Sequence, residues 1–529
     1  VLPVPGAPDE MGEQHMAVEA DADVSVTALE EKSKLRKHFG RVDIFFFLVC
    51  TLVGVDGLGT LATEGGEGFT WLLVCVLLFA VPSAMLLAEL GAAYPDEGGP
   101  YVWVRMAFGH FAGAVNNFFY WVTNPVWMGG TLVGTALGGF ITFFHDGEDY
   151  SRGVNYAVAA VFIWAGVLFA VLSFRVGKWI ATIGAIARFL LLGLFSVLVV
   201  VYGVENGFSG PGAGEYVPSF SGFVALVPLV LFSLVGFELP SAAGEEMTDA
   251  QKDVPAGIAK SVVATGLLYG IPVLGILLVL PTSQASGLTG FPDAIRQSLS
   301  VFGGTVTTAA DGTAVTTLGT SATAVGYAMG ILVAIVAFTS GLTWIMGSDR
   351  TLAVSCYDGA GPRALGRFSS RFGTPVRVNV LSGVVSSVVF VAATEITEGD
   401  AAKFFGVVLA LAISTTLISY LGIFPAAWKL RRANPDRPRP YSAPAIGFTT
   451  VLAMAWIAFC TVQILFPGLG DDWFGEDYRP EGWVASERWL YLGTELVPLV
   501  VFTAIAAWFW SAGRRETRRE AERVQVPTR

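Results

Sequence analysis

Charge is scarce in this chain. Only 14% of its 529 residues are Asp, Glu, Lys or Arg, against about a quarter in an ordinary soluble protein, and 53% are hydrophobic. A soluble globular domain of this size is thereby excluded. Cysteine and histidine are equally sparse, at four each. Cys50, Cys75, Cys356 and Cys460 fall in or at the ends of apolar runs, with neither CxxC nor metal-ligand spacing, and read as free structural thiols. No HExxH or Cys/His cluster suggests an intramembrane metalloenzyme, and no GxxxxGK[ST] loop supports direct ATP drive. Neither a cofactor nor an enzymatic activity is expected. The net charge of −11 is no guide to nucleic acid, because the signs are segregated by loop, and no such partner is expected. Residues 1–40 are polar and acidic, lack an apolar core of signal-peptide length, and are expected to form a disordered cytoplasmic tail.

What the chain does have is long apolar runs. Twelve are long enough to cross about 30 Å of hydrocarbon: roughly 42–64, 69–92, 108–143, 154–174, 178–203, 219–243, 258–281, 323–356, 376–395, 401–428, 444–467 and 488–512. The expected architecture is therefore an all-α polytopic membrane protein of twelve transmembrane helices. Of the 32 Lys and Arg residues, 26 lie in the two tails and the even-to-odd connections, among them Arg363, Arg367, Arg371, Arg377, Lys429, Arg431, Arg432, Arg437 and Arg439. Five lie on the opposite connections (Arg152, Arg296, Lys403, Arg479 and Arg488), and Arg188 lies inside span 5. The positive-inside rule then places both termini in the cytoplasm of a cell (inner) membrane protein. The opposite loops are acidic, with Asp146, Glu148, Asp149, Asp471, Asp472, Glu476 and Asp477. Loop 282–322, rich in Thr, Gly and Ala, carries no evident chemistry. The expected organisation is a transport core over 41–428, a connector with spans 11 and 12 over 429–512, and a charged C-tail over 513–529.

Two spans carry interruptions. Span 6 is broken at Ser233–Glu238 by Gly236 and then by Pro240, with the carboxyl of Glu238 where lipid should be. An ionisable group at that depth is costly and marks a candidate site, and a broken helix survives there only against protein or a water-filled cavity. The plainer alternative is a kinked packing helix with one buried, protonated Glu. Span 1 has Gly54, Gly57 and Gly59 flanking Asp56, a pattern that weakens helix. Breaks five spans apart match an inverted five-plus-five repeat of the LeuT-like kind, with two further C-terminal helices. A break frees amides near 59–61, which suit an anion, and carbonyls on the other half-helix, which suit an ammonium. Asp56 and Glu238 add negative charge. Substrate contacts are expected from Asp56, Gly57, Leu58, Gly59, Thr60, Ser233, Gly236 and Phe237.

Arg188, in the middle of span 5, stays charged and needs a partner or a carbonyl cage; snorkelling to the interface is its alternative. Trp344 in span 8 is a candidate for covering an amine by cation–π contact, or else a packing residue. Asp349 and Arg350 are expected to pair near the cytoplasmic mouth. Asn116, Asn117, Tyr120 and Asn124 in span 3 suit either cavity lining or helix packing. The Arg/Pro-rich stretch 429–444 is expected to touch anionic headgroups.

At these residues the chain resembles the amino acid–polyamine–organocation transporter superfamily, over roughly 40–440. Gly236-Phe-Glu238, Gly244-Glu-Glu-Met247 and Asp253-Val-Pro255-Ala-Gly257 look like its span-6 pattern. Ala88-Glu89-Leu90 with Pro95-Asp-Glu-Gly98-Gly99-Pro-Tyr101-Val-Trp103 and Ala107-Phe-Gly109 look like its span 2–3 connection. Trp344 through Arg350, Asp358-Gly359 and Gly373-Thr-Pro375, with Leu61-Ala-Thr63-Glu-Gly65, are similar to the bacterial glutamate/GABA antiporter. The resemblance implies proton coupling and gating at Glu238, a substrate-covering Trp344, a carboxylate held by the amides of Gly57, Gly59 and Thr60, and in Arg188 a counterpart of a span-5 Lys. Two departures stand out: Gly57-Leu-Gly59-Thr-Leu replaces Gly-(Ser/Ala)-Gly-Ile-Phe, and Asp56 is extra. The implied function is secondary active transport of an amino acid or small amine by alternating access, proton-coupled or by exchange. A polyamine or organocation permease is the alternative, and a non-transporting membrane sensor a second. The expected partners are the small-molecule substrate, a proton as a candidate, and the lipid bilayer; the sequence does not fix the oligomeric state.

Overall fold

The computed structural model describes residues 40–172, 174–208, 210–281, 284–285, 287–308 and 314–524. Of the expected N-terminal tail all but Gly40 lies outside them. Ten helices among the described residues are long and apolar enough to cross a membrane: α3 (Gly65–Ala93), α5 (His110–Phe144), α6 (Arg152–Leu172), α7 (Phe174–Asn206), α9 (Ala250–Val279), α11 (Thr320–Tyr357), α12 (Val376–Ile396), α13 (Ala401–Ala433), α14 (Ile446–Leu465) and α15 (Arg488–Val524). The first and sixth apolar stretches are divided. The first forms α1 (Arg41–Leu52) and the six-residue α2 (Leu58–Thr63). The sixth forms α8 (Phe220–Ser233), followed by a 3-10 segment, Leu239–Glu246. A short α4 (Pro100–Phe108) precedes α5, and Gly109, at φ +89°, separates the two.

The membrane character shows in what the outside of the fold exposes. Val161, Val197, Val204, Val263, Val388, Val451 and Val500 are all more than half exposed, and all sit on helix faces. Water would not support apolar surface on this scale, whereas helices that satisfy their own backbone are what a bilayer tolerates. The inside is built from α1, α5, α11 and α13, whose side chains are mostly buried.

Some boundaries move. The second apolar helix starts at Gly65 rather than 69, because Gly65 at φ +60° turns the chain straight from α2 into α3. Loop 282–322 is not structureless. It holds α10 (Gly290–Ser298) and an antiparallel hairpin of β1 (Gly304–Thr308) and β2 (Ala314–Leu318), with Thr305 opposite Thr317. The all-α expectation is corrected to that extent: Thr and Val at alternate positions favour strand. At the C-terminus, α15 runs through 513 to Val524 without a break.

Glycine makes the tightest contacts around the sixth stretch. The loop after α3 lies directly on the 3-10 segment, and the amide of Gly98 donates to the Ala242 carbonyl at 3.3 Å. A Cβ on Gly244 would stand 2.3 Å from the Pro95 carbonyl oxygen, and one on Gly99 2.9 Å from the backbone of Ser241. Two backbones this close leave room for no side chain, which explains why both motifs are glycine-rich. Beside them the buried Glu97 and Arg350 form an ion pair, and Arg431 and Arg439 both reach Glu89. Gly244→Ala is therefore expected to lower stability by about 1–3 kcal/mol through overpacking, read as an earlier thermal melt in detergent. Gly214→Ala, with nothing within 4 Å of the added carbon, should stay within about 0.5 kcal/mol of the parent.

Candidate functional site

Where α1 stops, its last carbonyls lose their helical partners. Three of them find a donor from another helix. Trp344 Nε1 of α11 donates to the Thr51 carbonyl at 3.2 Å. Tyr269 Oη of α9 donates to that of Leu52 at 3.0 Å, and accepts from the Gly54 amide at 3.0 Å. Arg188 Nε of α7 donates to that of Val53 at 2.7 Å. The carbonyls expected to await an ammonium are thus occupied by the protein's own groups. On the other side of the break, the Leu61 amide bonds to the Gly57 carbonyl at 2.9 Å. The amides of Gly59 and Thr60 have no acceptor among the described residues.

Asp56 lies between the two halves, 5% exposed. Its Oδ2 accepts from Trp127 Nε1 at 2.6 Å and from Thr131 Oγ1 at 3.0 Å, both on α5. Asp56 and Trp127 border a cavity of about 20 Å³, room for about one water. Gly57, Ser233, Tyr269 and Trp344 also line it, as does Phe232. Asp56 supplies its one carboxyl among the described residues, and no Lys, Arg or His borders it. Its walls are aromatic: the Trp127 and Trp344 rings meet edge-on at 6.0 Å, and Phe232 stands 5.9 Å from Trp127.

The second break lies against the first. Gly236 adopts φ +118°, and a Cβ there would stand 3.1 Å from the Trp344 ring and 3.2 Å from the Thr51 methyl. Its amide donates to Tyr420 Oη of α13 at 2.9 Å. That hydroxyl donates to Glu238 Oε2 at 2.6 Å, while Tyr120 Oη of α5 donates to Oε1 at 3.0 Å. Glu238 is fully buried and does not itself border the cavity. Its link to the cavity is Tyr120, whose ring stands 6.1 Å from that of Trp344.

Arg188 is fully buried, so its side chain does not snorkel. Besides Val53 it donates to the carbonyls of Gly184 at 2.8 Å and Val336 at 3.1 Å, to Thr339 Oγ1 at 3.1 Å and Cys50 Sγ at 3.3 Å, and to Ser340 Oγ. It is a caged cation that ties α7 to the end of α1 and the middle of α11.

The remaining expected residues are dispersed. Leu58 and Phe237 are fully buried and do not line the central cavity; Gly59 packs against Gly290. Thr60 faces a second cavity of about 390 Å³, nearer the face bearing Asp471, Asp477 and Glu481. Leu229 and Leu409 line both cavities and form the partition between them. Asp349 and Arg350 do not pair with each other, because successive helical residues point to different sides. Arg350 turns to Glu97, whereas Asp349 Oδ1 accepts from Ser382 Oγ at 2.6 Å and Trp121 Nε1 at 2.9 Å. Asn117 serves packing, donating to the Thr351 carbonyl and to Ser355 Oγ. Sequence reasoning missed Trp127, Thr131, Tyr269 and Tyr420. One signal was readable: Gly129 and Gly130 sit in a π-helical turn over Met128–Leu132, a feature that often accompanies functional positions. It separates Trp127 from Thr131, so that both reach one carboxylate.

A family profile described as amino acid permease matches residues 39–474. The chain is 25% identical over 420 residues to a probable agmatine/putrescine antiporter of Lactococcus lactis, covering 77% of this chain and 82% of that protein. It is 22% identical over 460 residues to a branched-chain amino acid permease of Bacillus subtilis, covering 83% and 90%. It is 25% identical over 402 residues to an aromatic amino acid transport protein of Escherichia coli, covering 72% and 79%. These relatives are transporters rather than enzymes. With a profile match over most of its length, on a multi-pass helical fold, this chain belongs to the amino acid permease family of the amino acid–polyamine–organocation superfamily.

Proposed function

We propose that this permease moves an organic amine cation across the cell membrane by secondary active transport, with Asp56 as the counter-ion of the ammonium group. The observation that carries this reading is the charge of the central cavity: one carboxyl, aromatic walls and no cation to meet a substrate carboxylate. Arg188 is turned away to the Val53 carbonyl. A buried carboxylate paired with an ammonium and roofed by tryptophan is sound chemistry for an amine. The agmatine/putrescine antiporter among its relatives fits the same class. A second reading, transport of an amino acid, draws on the free amides of Gly59 and Thr60 and on the amino acid permeases it resembles.

The cycle we propose uses twelve crossings, with the divided first and sixth stretches beside the ten continuous helices, and an inverted five-plus-five repeat. The Lys and Arg bias supports both termini in the cytoplasm. Gly57, Ser233, Gly236 and Trp344 would shape the substrate pocket, with Gly59 and Thr60 on its entry side and Leu58 and Phe237 as packing behind it. Glu238 would act as the proton-sensitive gate. As a carboxylate it accepts from both Tyr120 and Tyr420 and clasps α5, α13 and the second break together; once protonated it offers a poorer acceptor and the clasp loosens. Arg188 would serve as a built-in cation that holds the first break, so that no dissolved sodium ion is required.

Uptake or exchange of labelled agmatine, putrescine and the common amino acids in sealed vesicles tests the reading. Amines should be carried, and at equal rate when potassium replaces sodium. Asp56→Asn should reduce amine transport tenfold to a hundredfold, about what loss of a charged hydrogen bond costs. Transport of amino acids with no competition from amines would reject the amine reading in favour of the second one. Glu238→Gln should transport at a rate that no longer varies with pH; an unchanged pH profile removes Glu238 from the coupling.

A further inference from the structure

The basic stretch that closes α13 is divided between two faces. Arg431 and Arg439 turn inward to Glu89, and Arg437 turns to the Ala93 carbonyl and Asp96. Lys429 and Arg432 turn outward. Neither has a carboxylate within ion-pairing distance among the described residues, and both are exposed. Each lies over an aromatic ring instead: Lys429 Nζ is 4.6 Å from the centre of Phe108, and Arg432 Cζ 5.8 Å from that of Trp428. With Pro425 and Ala433 these four line an open groove of about 450 Å³ between the end of α4 and the end of α13. Positions 425, 428, 429, 432 and 433 follow the spacing of one helix face.

Four features of this groove converge on one ligand chemistry. It lies at the end of a long apolar helix, where the hydrocarbon gives way to headgroups. Trp428 and Phe108, 37% and 41% exposed, are aromatics of the kind found at that level. Two cations without carboxylate partners stand on its rim. Its floor is apolar, formed by Pro425, Ala433 and the rings. A phosphate between Lys429 and Arg432, with an acyl chain over Phe108 and Pro425, satisfies all four. A soluble anion would leave the apolar floor bare, and an acidic protein segment would bring backbone N–H groups onto an apolar floor that offers them few acceptors.

We propose that this groove is a binding site for an anionic phospholipid, whose phosphate sits between Lys429 and Arg432. The neighbouring Arg431 makes the site more than an anchor. It grips Glu89 of α3 from the same helical turn. Lipid binding on the outward face holds that turn in place and so stabilises the closed arrangement of α3 and α13 on this side.

The test does not require the transported substrate, so it stands apart from the functional reading above. The full-length protein in detergent is titrated with phosphatidylglycerol, phosphatidylcholine or inorganic phosphate, and thermal unfolding and native mass spectrometry are followed. Phosphatidylglycerol should raise the melting temperature and remain bound, whereas phosphatidylcholine and phosphate should not. Each cation at an anionic surface contributes roughly fivefold in affinity. The double variant Lys429→Gln with Arg432→Gln should then bind phosphatidylglycerol about 25-fold more weakly. Arg514→Gln with Arg515→Gln, in the exposed end of α15, should leave binding unchanged. The proposal is overturned if phosphatidylcholine or free phosphate stabilises equally, if phosphatidylglycerol gives no shift, or if the 429/432 variant keeps the full shift. Should that variant fold poorly, Lys429→Gln alone, expected to be about fivefold weaker, decides the matter by mass spectrometry.

Discussion

A helix cut in two inside a bilayer leaves carbonyls without their helical partners, and the rest of this structure is arranged around that fact. The end of α1 presents three, at Thr51, Leu52 and Val53, and three helices each contribute a donor: α11 through Trp344, α9 through Tyr269 and α7 through Arg188. Each unsatisfied carbonyl would cost several kcal/mol in hydrocarbon, so these residues are fixed as firmly as any in the core. The cavity inherits its walls from this arrangement. Trp344 and Tyr269 border it because the carbonyls they cap border it. The side chains that satisfy the first break are thus the ones that shape the cavity.

The broken sixth stretch is held differently. Its conformation rests on glycine, with Gly236 at positive φ, Gly244 under the Pro95 carbonyl, and Gly98 and Gly99 on the facing loop. Its polarity rests on tyrosine, since Tyr120 and Tyr420 both donate to Glu238. Two neutral donors around one buried acid form a joint whose strength depends on the charge of that acid. Arg188 permits no such variation, because a guanidinium keeps its proton. One break is therefore held by a constant charge and the other by a group that can gain or lose a proton.

Much of this was legible in the sequence. The apolar runs, Asp56 with its glycines, and Gly236-Phe-Glu238 with Pro240 located both breaks to within a few residues, since glycine, proline and charge together inside an apolar run disfavour a continuous helix. Arg188 was legible as a cation in need of a cage, though not which carbonyls would form it, because two of the three, Val53 and Val336, lie about 135 to 150 residues away. Trp127, Tyr269 and Tyr420 were not legible as site residues. A tryptophan or tyrosine in a membrane helix looks alike whether it packs or donates, and only helix rotation decides which. Asp349 and Arg350 misled for the same reason: adjacent opposite charges suggest a pair, while the helix turns them to different partners. The paired strands Gly304–Thr308 and Ala314–Leu318 were hidden in a segment whose composition resembles an ordinary loop.

The two closures on either side of the central cavity differ in material. Toward the acidic face the partition consists of Leu229 and Leu409. Toward the basic face it consists of ion pairs, Glu97 with Arg350 and Glu89 with Arg431 and Arg439, packed beside bare backbone. Opening the first exposes hydrocarbon, which raises heat capacity; opening the second hydrates polar groups, which lowers it. The enthalpies of the two openings therefore change differently with temperature. In the alternating-access cycle proposed above, warming and cooling would therefore shift the balance between the two openings, and the direction in which the resting permease faces would itself be a thermal property of the chain.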